Sequence, residues 1–123
     1  MAIYESGEMY LETILTLSNK LEVVRSIDVV REMNYSKPSV SNAMKHLKED
    51  GYILVDDNGY ITLTQVGREI AEKIYDRHTT LTQMFITLGV DDITASEDAC
   101  RIEHIISDKS FNAIKKHLNN TNI

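Results

Sequence analysis

Apolar residues recur along this chain at helical intervals, interrupted once by a short extended stretch. From about Glu8 to Leu17, Tyr10, Leu11, Ile14, Leu15 and Leu17 fall on one face of a helix, with Met9, Glu12 and Thr13 on the other. "SIDVVREM" at 26–33 reads as a short helix with Ser26 as its N-cap, and Asn34-Tyr35 as a turn. A second helix is expected over Ser36–Glu49, capped by Ser36 and accepting Pro38 in its first turn. Val40, Ala43, Met44 and Leu47 share its inner face. Ser39, Asn42, Lys45 and His46 point the other way, with Ser41 at the flank. Gly51 stands where a helix C-terminus favours glycine. "YILVDDNGYITLT" then sets two β-branched runs around Asp56–Gly59, with Asn58-Gly59 the preferred tight hairpin turn. Thr64 opens a long amphipathic helix with Ile70, Ile74, His78, Leu81, Phe85 and Leu88 on one stripe, closed by Gly89. Two further helices, about 95–107 and 109–118, follow an acidic loop, and the tail "NNTNI" should fray.

Two short helices joined by a tight turn and followed by a hairpin make a winged helix-turn-helix. The expected fold class is therefore mainly α with a small β-hairpin: a DNA-binding domain over 1–64, then a helical domain over 65–123. The second short helix would enter the major groove, presenting Ser36, Ser39, Ser41 and Asn42 to the bases and Lys45 to phosphate. The competing reading is an ordinary α+β domain whose polar helix face meets only water.

Composition changes this picture in one respect. A net charge of −6 and a pI near 5.1 argue, as averages, against nucleic acid. Yet no acid lies between Glu32 and Glu49, where Lys37, Lys45 and Lys48 are basic, while Asp91, Asp92, Glu97 and Asp98 gather the opposite charge. No apolar run is long enough to span a membrane, no signal-peptide pattern opens the chain, and one Cys permits no internal disulfide. These features point to a cytoplasmic protein without membrane partners. An apolar content of 42% is ordinary for a folded chain.

"DACRIEHIISD" at 98–108 raises a chemical question. On a helix, Cys100, Glu103 and His104 share an arc of roughly 100°, opposite Ala99, Ile102, Ile105 and Ile106. Three readings compete: a solvated face, a thiol activated by His104, and a metal site. Thiolate, carboxylate and imidazole all suit late first-row divalent ions, and a second helix could complete their coordination.

With those residues in view, the chain resembles the diphtheria-toxin-repressor family, the iron- and manganese-dependent transcriptional repressors of bacteria. The likeness is carried by "EMYLETI" at 8–14, "KPSVSNAMKHLKEDGYI" at 37–53, "LTQVGRE" at 63–69, the His78 ending "YDRH", and "EDACRIEHIISD" at 97–108. It covers about residues 5–118. The resemblance implies that Met9, Cys100, Glu103 and His104 make a primary regulatory metal site and that His78 belongs to a second, adjacent one. It places Glu12 where manganese-sensing members carry a ligand, and Pro38 where the family touches a thymine methyl; Lys37 opens the same helix. Iron-type members carry a carboxylate one turn after the His78 position and a histidine before the Cys. Here Thr82 and Ser96 stand there instead. Longer members also carry a C-terminal SH3-like domain, which is not expected here.

The expected function is thus a non-enzymatic repressor with Fe(II), or alternatively Mn(II), as corepressor. It would bind palindromic operators of metal-homeostasis genes as a homodimer, with no small organic ligand. The dimer should use the long helix and the last two helices, whose apolar stripes exceed what one wing domain covers. Alternatives are a metal-independent winged-helix regulator and a thiol or metal hydrolase using Cys100 and His104.

Overall fold

The structure is a computed structural model that describes residues 5–121, and these divide after Glu72 into two compact units. The first holds α1 (Glu5–Lys20), α2 (Ser26–Met33), α3 (Lys37–Glu49), strands β1 (Ile53–Val55) and β2 (Ile61–Leu63), and the opening turns of α4 (Gln65–Thr87). Tyr10, Leu11, Ile14, Leu15 and Leu17, the apolar face of α1, are all buried. They pack in one core with Val29, Val40, Met44, Leu47, Ile53, Ile61 and Ala71. The hairpin joins this core because Ile53 and Ile61 point inward while Leu54 and Thr62, one residue on, face solvent, as the two-residue period of a strand requires.

Local chemistry sets the boundaries. Ser36 caps α3, its hydroxyl accepting the Ser39 N–H at 3.2 Å, and Pro38 sits in the first turn. Gly51 (φ +83°) ends α3: its N–H reaches the Lys48 carbonyl and the Tyr52 N–H reaches that of Leu47, the paired bonds of a Schellman cap. Thr64 caps α4 in turn, its hydroxyl accepting the Gly67 N–H at 3.1 Å.

Two expectations need correction here. The N-cap of α2 is Arg25, not Ser26; its backbone N–H is held by the Asp28 carboxylate at 2.9 Å, so the helix starts one residue earlier in its capping frame. Nor is Asn58-Gly59 a two-residue turn. The Asp56 carboxylate accepts both the Asn58 and the Tyr60 N–H at 2.9 Å, which closes a three-residue loop on the Asp56–Tyr60 pair with Gly59 left-handed at φ +79°.

The second unit comprises the remainder of α4, then α5 (Asp92–Ile102) and α6 (Asp108–Thr121), around Leu81, Ala99 and Phe111. Met84, Ile102, Ile106 and Ile114 pack against that core. Asp91 caps α5, and the Thr94 N–H it accepts holds its carboxyl below the usual carboxylate range. The stripe of α4 ends sooner than expected, because Leu88 is 73% exposed. Helix α5 begins and ends earlier than the periodicity suggests, and α6 runs on to Thr121; the last two residues of "NNTNI" lie outside the described residues.

Candidate metal centre and nucleic-acid interface

The early end of α5 decides the chemistry of its C-terminus. Glu103 is the C-cap and His104 lies in the turn that follows, so the pair is not carried on an open helix face. Glu103 is 0% exposed, against the expectation that the Cys100–Glu103–His104 arc stands clear of the apolar side. Ile105, expected on that apolar side, is instead 74% exposed. The turn rotates the carboxylate inward and the isoleucine outward.

Glu103 meets two imidazoles inside this unit. Its Oε2 lies 2.8 Å from Nδ1 of His78 on α4, and its Oε1 lies 3.3 Å from Nε2 of His104, whose side chain is also almost wholly buried. The second contact is not a hydrogen bond, and Oε1 has no hydrogen-bonding partner. On its far side His78 turns Nε2 toward the Ser96 hydroxyl at 3.4 Å. Cys100, half-buried on α5, lines an open cavity of about 520 Å³ with His78, Asp92, Ile93, Ser96 and Glu97.

A buried carboxylate with an unmet oxygen is costly unless a cation or strong donor completes it. With two imidazoles in contact and a thiol one helical turn earlier, this donor chemistry fits a late first-row divalent ion. Thr82, where a carboxylate is usual in iron-type members, spends its hydroxyl on the His78 carbonyl at 2.7 Å. Met9 and Glu12 are half-buried on α1, in the other unit, three residues apart on one helix face.

One residue escaped the sequence reading. Arg77 is buried, donating from Nη1 to the carbonyls of Glu103 (3.0 Å) and Ile106 (2.7 Å) and from Nη2 to Asp108. Its guanidinium stacks over Phe111, 5.6 Å from the ring centroid. Lys73 and Arg77, both bonded to Asp108, hold that carboxyl below its usual range. The available signal was an arginine at helical spacing from Ile74 and Leu81, on the buried face of α4.

In the first unit, Ser36, Lys37, Pro38, Ser39, Ser41, Asn42 and Lys45 are all exposed on α3, while Val40, Met44 and Leu47 anchor its other side. No acid occupies its first turn. Ser36 also donates to the Ser39 hydroxyl at 2.8 Å, so both hydroxyls are already engaged in the cap. Asn42, Ser41 and Lys45 make the freer polar face. The wing is pinned by Arg25, 35 residues earlier in the chain, which donates to the Tyr60 hydroxyl at 3.0 Å and lies 4.8 Å from its ring centroid.

Residues 2–60 match the family described as iron dependent repressor, N-terminal DNA binding domain. Residues 64–122 match iron dependent repressor, metal binding and dimerisation domain. A helix-turn-helix-type transcriptional regulator of Methanocaldococcus jannaschii is 35% identical over 113 residues, covering 90% of each chain. The diphtheria toxin repressor of Corynebacterium diphtheriae is 28% identical over 109 residues, 87% of this chain and 48% of its own. Among solved structures, the manganese regulator SloR superposes with a TM-score of 0.82 at 28% identity, over 97% of this chain and 55% of that one. A manganese-dependent transcriptional repressor in complex with manganese gives 0.83 at 26% identity, over 92% and 52%. The chain thus spans 90% of the Methanocaldococcus jannaschii relative and about half of the diphtheria toxin repressor.

Proposed function

The chain belongs to the iron-dependent repressor family, and on that premise we propose that it is a DNA-binding transcriptional repressor with a divalent metal as corepressor. The observation that carries the metal half is Glu103: fully buried, held between two imidazoles, with one oxygen unmet. Glu103, His104 and Cys100 are the proposed ligands in the helical unit, with His78 at an adjacent position. Met9 and Glu12 join the set on the sequence match alone. When bound, the ion would supply a compact positive charge to these donors.

The residues themselves do the rest. Glu103 and His104, fixed by burial, present preformed donors and lose little freedom on binding. The ion acts as a corepressor only if it binds the DNA-competent state more tightly than the free state, since only such differential affinity can shift an equilibrium. On the DNA side, α3 offers Asn42 and Ser41 to base edges, Pro38 to an apolar base contact and Lys45 to phosphate. Two such helices in a homodimer would read a palindromic operator at half-sites about 34 Å apart. The protein acts in the cytoplasm and without catalytic turnover in this reading; among the described residues no helix is long and apolar enough to cross a membrane.

Thioether and thiolate donors favour the softer end of the divalent series, so Met9 and Cys100 favour Fe(II), while Glu12 pulls toward Mn(II). An anaerobic titration with each metal, read as retention of duplexes from a random pool, tests the proposal. Retention should require metal, and the retained pool should become palindromic. Equal retention in chelator would sink the corepressor reading. Met9→Asp with Cys100→Glu should move activation from Fe(II) toward Mn(II); an unchanged ratio would mean these residues do not set the choice.

A further inference from the structure

We infer that Arg77 is a positioning residue of the metal centre, a forked clamp that holds the 103–106 turn in the form that presents Glu103 and His104. This rests on the reading of that cluster as a metal site, and assigns a role there to a residue that touches no ion.

Helix α5 stops at Ile102, and the carbonyls of the following turn need donors from elsewhere. Arg77 supplies them: one nitrogen, Nη1, reaches both the Glu103 and the Ile106 carbonyl, spanning the turn from its first residue to its last. Nη2 bonds to Asp108 in the first turn of α6, and Phe111 one turn further covers the guanidinium face. The two carbonyls, the carboxylate and the ring fix the plane of the fork, which a flexible ammonium would leave free to rotate. Because Glu103 belongs to the clamped turn, fixing its carbonyl also limits where its carboxylate can sit. The next residue of α4, His78, makes the 2.8 Å contact to that carboxylate. One helix turn of α4 therefore sets the turn through Arg77 and meets its side chain through His78.

The test is an anaerobic Co(II) titration of the full chain, read by the ligand-field absorption bands, with circular dichroism confirming that each metal-free variant is folded. Arg77→Lys keeps the charge but loses the fork. It is expected to bind Co(II) about 10- to 100-fold more weakly and to show altered bands, as loss of a ligand-orienting partner does. A purely structural arginine would lower the melting temperature and leave the bands of the folded protein as they were. Unchanged bands with affinity within twofold of the parent overturn the proposal. If Arg77→Lys does not fold, Asp108→Asn decides: it strips the charge from the acceptor of one arm of the fork and should weaken Co(II) about threefold, whereas unchanged affinity overturns the clamp. Should the parent chain give no ligand-field bands, it is the metal site itself that fails, and the clamp with it.

Discussion

A Cβ placed on Gly67 would lie 2.0 Å from the Tyr52 carbonyl oxygen, far inside van der Waals contact with backbone that cannot swing away. That carbonyl is held by Thr64, whose N–H and hydroxyl both donate to it at 3.1 Å. Two effects oppose each other in Gly67→Ala. Alanine gains about 1 kcal/mol of helix propensity over glycine, whereas forcing backbone apart in a packed site costs about 1–3 kcal/mol. The clash is with a tethered carbonyl, so destabilisation should win. Urea unfolding should show a lower midpoint for Gly67→Ala, and an equal or higher midpoint would show that the Tyr52–Thr64 junction yields. At the same scale, a single carboxylate explains why the wing differs from its sequence pattern. Asp56 captures two backbone N–H groups and so places the turn one residue earlier than an Asn-Gly rule would.

Helix α3 shows an element whose two faces do separate jobs. Val40, Met44 and Leu47 hold it to the core, so substitutions on its outer face should change DNA binding more than folding. Asn42→Ala should cost about 1–3 kcal/mol of discrimination between operator and random duplex, while Lys45→Ala should weaken both alike. Competition binding measures the ratio. If Asn42→Ala leaves that ratio unchanged, α3 is not reading bases through this residue. Elements of this kind were legible in the sequence because their signals are local: the Ser36 cap, the Pro38 first turn, Gly51 and the inward spacing are all within one helix. The apolar face of α1 was legible for the same reason. The end of α5 was not. Periodicity alone continues that helix to Ser107, but the carbonyls of Glu103 and Ile106 go to Arg77, 26 and 29 residues earlier in the chain. No local window contains that donor. The grouping of Cys100, Glu103 and His104 at helical spacing was plain in the sequence, yet the burial of Glu103 and the outward turn of Ile105 were not.

At the scale of the whole molecule, the helical unit carries apolar surface that its own small core leaves uncovered. Leu88 and Ile93, either side of the α4–α5 loop, are each 73% exposed, and Ile105 is 74% exposed. Single exposed apolar residues are normal on a protein surface, but three as open as these stand out in a unit whose buried core is as small as Leu81, Ala99 and Phe111. The same residues fall within the stretch that matches a metal binding and dimerisation domain. Association of two copies would cover them, and it would also supply the second recognition helix that a palindromic site demands. None of Leu88, Ile93 and Ile105 is itself a proposed ligand, so the dimer should form without metal. Sedimentation at micromolar concentration is expected to give a dimer both in chelator and with Mn(II). Leu88→Glu combined with Ile93→Glu should shift it toward monomer by burying two charges in the interface, with the metal-free fold retained by circular dichroism. A parent chain that sediments as a monomer with and without metal would refute the dimer, and a double variant still fully dimeric would place the interface elsewhere on the unit.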